Sequence, residues 1–171
     1  MALTYVKIAS VTVGAGGASS IDFTSIPNTY TDLCLKISLR SATGDGDSSH
    51  TVGLTFNGVS TNRNARNLSA YGTTVYSDTG TAIIAGFMNG LGGTANTYNN
   101  CEIYIPNYTG STNKSISLDK VNESNTSSGN SLSLTAGLWS NSAAINQITL
   151  TPDAGNFTQY SSATLYGILK A

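Results

Sequence analysis

One histidine, two cysteines and nine carboxylates are the groups with which this 171-residue chain could do covalent or metal chemistry. A nucleophile-histidine arrangement needs its members within hydrogen-bond reach of one another. His50 has no such companion nearby in sequence, and no nucleophile-elbow motif is present, so it reads as a solvated histidine at the end of a loop. A zinc site takes three or four His, Cys or carboxylate ligands, which one His and the well-separated Cys34 and Cys101 do not supply. Asp45 and Asp47, in a Gly-Asp-Gly-Asp run, could offer oxygens to Ca²⁺. The rest of an EF-hand loop is missing, and solvated aspartates are the simpler reading. Glycoside hydrolysis needs two carboxyl groups roughly 5–10 Å apart across a cleft. Glu102, Asp119 and Glu123 form no recognisable pair. Gly14-Ala15-Gly16-Gly17 lacks the Lys-Ser/Thr and the helix of a phosphate loop and reads as a turn. The expectation is a chain without catalytic residues, cofactor or metal, and so not an enzyme.

Aromatic residues suggest contact rather than chemistry. Tyr71, Tyr76, Tyr98, Tyr104, Tyr108 and Trp139 lie in or beside loop-like stretches. There a flat amphipathic ring can pack at the edge of a core, anchor a subunit contact or stack on a sugar. Cys34 and Cys101 sit in strand-like stretches, where a thiol behaves as a small hydrophobe; a bridge between them is the alternative. Asn-x-Ser/Thr triplets occur at Asn67, Asn107, Asn113, Asn122, Asn125 and Asn156. Chance alone gives roughly four or five in a chain with this much Asn, Ser and Thr, so they carry little information.

The elements that would position these groups are strands. From residue 32 to 40, Leu33, Leu35, Ile37 and Leu39 alternate with Asp32, Cys34, Lys36, Ser38 and Arg40, the period-two pattern of a strand with one dry face. Ile21 and Phe23 alternate ahead of a turn at Pro27-Asn28. Further strands are expected over residues 3–13, from Val52 to Phe56 (stopped by Asn57-Gly58), from Ile83 to Met88 (buried on both faces) and from Cys101 to Ile105. Others follow at Ile116 and Leu118, from Leu132 to Leu138, from Ile145 to Leu150 and from Ser162 to Lys170. Residues 61–71 read as an extended segment with Leu68 and Tyr71 touching the core, or as a short helical turn. Polar loops are expected at 41–50, 89–98 and 122–130, gathered at the ends of the sandwich. Nine to eleven short strands without a helical period predict one all-β domain over 1–171. Long excursions between strands favour an antiparallel β-sandwich of jelly-roll type over an up-and-down barrel.

A net charge of −1 with eight scattered basic residues gives no footprint for nucleic acid or an anionic membrane. No stretch approaches the roughly 20 apolar residues that span a bilayer, and MALTYVKIAS does not read as a signal peptide. Low net charge also removes one defence against self-association.

Several segments together resemble small virion structural proteins of tailed bacteriophages: IDFTSIPNTYTDL at 21–33, FNG at 56–58, EIYIPNY at 102–108, GLWSN at 137–141 and ITLTP…GNFTQYSSATLYGI at 148–168. They span nearly the whole chain; 59–70 and the loops at 41–50 and 89–98 are unmatched. The resemblance implies a non-enzymatic jelly-roll module on the virion, present in multiple copies and plausibly as a homotrimer. Its expected role is a capsid decoration or cement protein on the outer surface of the head, with the major capsid protein or other virion proteins as partners. The alternative is a tail-fibre or head-fibre module that binds host-surface glycans.

Overall fold

The computed structural model describes residues 4–44, 50–125 and 130–169. Among them it contains strands and no helix: β1 (Tyr5–Thr12), β2 (Ile21–Phe23), β3 (Asp32–Ser38), β4 (His50–Phe56), β5 (Arg63–Tyr71), β6 (Thr74–Gly80), β7 (Ile84–Met88), β8 (Asn100–Ile105), β9 (Lys114–Asn122), β10 (Ser131–Trp139), β11 (Ile148–Pro152) and β12 (Ser162–Ile168). They form an eight-stranded sheet in the order β1-β12-β3-β8-β9-β10-β5-β6 and a four-stranded sheet in the order β2-β11-β4-β7. All pairings between them are antiparallel.

The expected β-sandwich is therefore present, and its strand order accounts for the jelly-roll expectation. Strands β1, β2, β3 and β4 alternate between the two sheets, as do β7 and β8, then β11 and β12. Two four-stranded sheets, β1-β12-β3-β8 and β2-β11-β4-β7, thus make up a jelly roll. The hairpins β5–β6 and β9–β10 are inserted after β4 and after β8. Together they extend the larger sheet past β8 into a four-stranded wing, β9-β10-β5-β6.

Alternation dictates the core. Leu33, Leu35 and Ile37 of β3 are buried with Val52, Leu54 and Phe56 of β4, Ile103 and Ile105 of β8, and Ile148 and Leu150 of β11. Each such side chain contributes roughly 1.5–3 kcal/mol by leaving water. Asn57 and Gly58 both take positive φ, 52° and 70°, in the turn after β4. That geometry suits a two-residue turn and explains why Asn-Gly stands there.

Several expectations need correction. Leu68 points to solvent with 53% of its surface exposed, and Tyr71 packs edge-on against Phe87 instead of entering the main core. The extended reading of 61–71 holds for Arg63–Tyr71, which are strand and pair with β6, a strand that the sequence did not announce. Arg40, expected on a wet face, is buried. Its guanidinium donates to the carbonyl oxygens of Gly90 (2.7 Å), Gly93 (3.1 Å), Thr94 (2.6 Å) and Thr97 (3.0 Å). A buried charge is tolerable when its donors are satisfied, and here it fastens the polar loop at 89–98. Lys114 acts similarly on Gly110 (2.7 Å) and Thr112 (2.5 Å), and Arg63 on Leu54 (2.6 Å). Among the described residues four basic side chains thus turn inward, Lys120 being the fourth, with its ammonium 3.3 Å from the Ile84 carbonyl oxygen.

Candidate interaction surface

Register lays out the outer face of the eight-stranded sheet in rows. One row runs Thr164, Lys36, Glu102, Asp119, Leu134, Leu68, Ser77; the next runs Tyr104, Ser117, Ala136, Arg66, Thr79. On either side lie Asn100, Val121, Leu132, Ala70, Val75, and then Ser115, Leu138, Asn64. Over the jelly roll this face is polar and internally paired: Lys36 bridges Glu102 at 2.9 Å, the Tyr104 hydroxyl donates to Asp32 at 2.7 Å, and Ser10 bonds Thr164 at 2.9 Å.

Across the wing the same face turns apolar. Leu132 and Leu134 expose 53% and 54% of their surface, and Val75 exposes 68%; Val121 and Leu138 are also exposed. The alternation of Leu132, Leu134, Ala136 and Leu138 was legible, but its dry side faces out. Ser133, Thr135, Gly137 and Trp139 face in. Trp139 packs on Phe56 with ring centroids 5.4 Å apart, and a side chain at Gly137 would begin 3.3 Å from Ile83. A side chain at Gly137 would require Ile83 to give way. Two shallow grooves cross the outward side, of about 850 Å³ (with Asn64, Arg66, Thr79 and Leu138) and about 640 Å³ (with Arg66, Leu68, Leu134 and Ala136).

Asp119 and Arg66 are the charged side chains on this part of the face, one on each strand flanking β10. Neither has a side-chain hydrogen bond or ion pair among the described residues. Asp119 also stands directly opposite Glu102, an adjacency hidden in the sequence because it depends on register. That pair lies on an open sheet face, with Glu102 taken by Lys36.

The remaining candidate residues are scattered. His50 opens β4 rather than sitting in solvent: its Nδ1 lies 3.2 Å from Asp153, and its side chain is only 15% exposed. Asp45 and Asp47 lie outside the described residues, as do 126–129 of the 122–130 loop. No cluster of three metal-ligating side chains occurs among the described residues. The described parts of the three polar loops do share one end of the sandwich: Ser41 bonds Asn89, Asn99 bonds Leu39, and Asn100 pairs with Val121 of β9.

Cys34 and Cys101 are free and buried. They belong to opposite faces, since Cys34 pairs with Tyr104 while Cys101 pairs with core-facing Ile37. Burial, helped by the Glu102 charge, pushes the Cys34 thiol up to about 11, and burial also pushes up Cys101. Neither is a ready nucleophile. The hydrogen bond to Asp32 pushes the Tyr104 phenol up to about 12. Tyr108 is buried with its hydroxyl on the Pro27 carbonyl, Tyr98 donates to Gln159 at 2.8 Å, and Trp139 is a fully buried strand residue. Only the Tyr71–Tyr76–Phe87 cluster behind the wing brings aromatic side chains from the expected set together. No helix among the described residues is long and apolar enough to cross a membrane.

The chain matches no known family model, no curated protein and no solved structure.

Proposed function

We propose that this chain is a non-enzymatic structural protein of a tailed-phage particle, a capsid decoration protein that binds the outer surface of the head in several copies. The observation that carries this reading is the wing: a broad apolar sheet face, appended to the eight strands of the jelly roll and exposed to water. Patches of this kind mark interaction sites. The segments that resemble virion proteins supply the setting, with the major capsid protein as partner. Multiple copies let modest contacts add through effective concentration. A fibre module that reads glycans draws less support, because Tyr98, Tyr104 and Tyr108 spend their hydroxyls on internal partners.

Labelling the chain in images of intact particles tests the proposal. Label over the head, with loss of heat resistance when the protein is stripped off, is the expected result. Label confined to the tail or fibres, or a head of unchanged strength, overturns it.

A further inference from the structure

The wing's outer face has a shape, a composition and a charge pattern that together specify an occupant. Four strands at ~4.8 Å spacing, spanned along β10 from Leu132 to Leu138 at ~3.4 Å per residue, give roughly 400 Å² of sheet. That is about half of the ~800 Å² each partner contributes to a stable interface. Stable interfaces have an apolar core and a polar rim. Here the apolar part is Val121, Leu132, Leu134, Leu68 and Val75, bordered by Ser115, Ser117, Ser77, Thr79 and Asn64.

The charges point to the partner. Asp119 lies on one side of β10 and Arg66 on the other, each without an ion pair among the described residues. A rotation axis running along β10 carries the β9 flank of one copy onto the β5 flank of the next. Asp119 then meets the strand bearing Arg66, offset by one row, or about 7 Å along the strand, within reach of an arginine side chain. The face is thus complementary to itself in both apolarity and charge. Cyclic homo-oligomers are built on such symmetry.

We infer that the outer face of β9-β10-β5-β6 is the interface between copies of this chain, with the symmetry axis along β10 and Asp119 of one copy paired to Arg66 of the next. A two-fold axis makes two wings into a sandwich; a three-fold axis gathers three β10 strands into a prism. The inference rests on the multi-copy reading above and assigns that same wing face to contact between copies; it is tested on the purified chain alone, so that its failure leaves placement on a particle untouched.

Sedimentation equilibrium of the purified full chain should show a dimer or trimer. Leu134→Asp should weaken association at least ~30-fold, as expected for a central anchor, while leaving the circular dichroism spectrum unchanged. Asp119→Arg and Arg66→Asp should each weaken it at least ~10-fold, and the two combined should recover most of the loss. A monomer at all concentrations, an oligomer insensitive to Leu134→Asp, or a double variant no better than the single ones overturns the inference.

Discussion

Strands β3 and β10 carry the same alternating text and bury opposite halves of it. In β3 the aliphatic residues go inward and Lys36 goes to water; in β10 the leucines go to water while Ser133, Thr135 and Trp139 go inward. The difference lies in what each strand faces. β3 looks onto Val52, Leu54 and Phe56 across a full sandwich layer, deep enough for leucine. β10 looks onto Phe56 and Ile83, so closely at Gly137 that a side chain there would push on Ile83, and the single large inward residue is Trp139 at its end. Period two announces a strand with unlike faces. It does not say which face is the inside.

Core substitution against wing substitution should give the largest contrast. Leu35→Ala should cost ~2–5 kcal/mol, as for a fully buried leucine. Leu134→Ala should stay within ~0.5 kcal/mol as an exposed position. Urea denaturation at concentrations low enough to separate copies measures both, and equal losses would erase the distinction. A smaller effect belongs to the Arg40 clamp. Arg40→Met leaves four carbonyl oxygens without their donor and should cost ~1–3 kcal/mol. Amide exchange should quicken in residues 89–98 and remain slow in the wing; uniform quickening would show that the clamp serves the whole molecule.

The smallest effect concerns the buried thiol on the polar side of the sheet. Its folded value near 11 stands above the ordinary 9.0. The stability it contributes is therefore complete below pH 9 and is lost as pH climbs from 9 toward 11. Cys34→Ala should flatten the fall in melting temperature across that window; an unchanged slope would show that Cys34 does not govern it.

Much of the fold was legible because large residues alternate wherever the sandwich is thick: Leu33 to Leu39, Val52 to Phe56 and Cys101 to Ile105 all appear as strands, and Asn57-Gly58 turns as expected. Residues 74–80 were illegible. TVYSDTG has no apolar face because β6 is an edge with almost everything exposed. The candidate surface was half legible. Leu132 to Leu138 stood out as a pattern, but their outward direction depends on Ile83 and Phe56, far away in sequence. The opposition of Asp119 and Arg66 across β10 required the register of three strands, which no local pattern encodes.

Both wing hairpins leave the chain between core strands and return to it, joined to the jelly roll through the β8–β9 pairing and through inward side chains such as Trp139 on Phe56. Substitutions on the outward side are thus free to drift while the body keeps folding as before. The proposed contact between copies could therefore be altered with few mutations. The proposed contact and the fold itself thus rest on separate sets of residues.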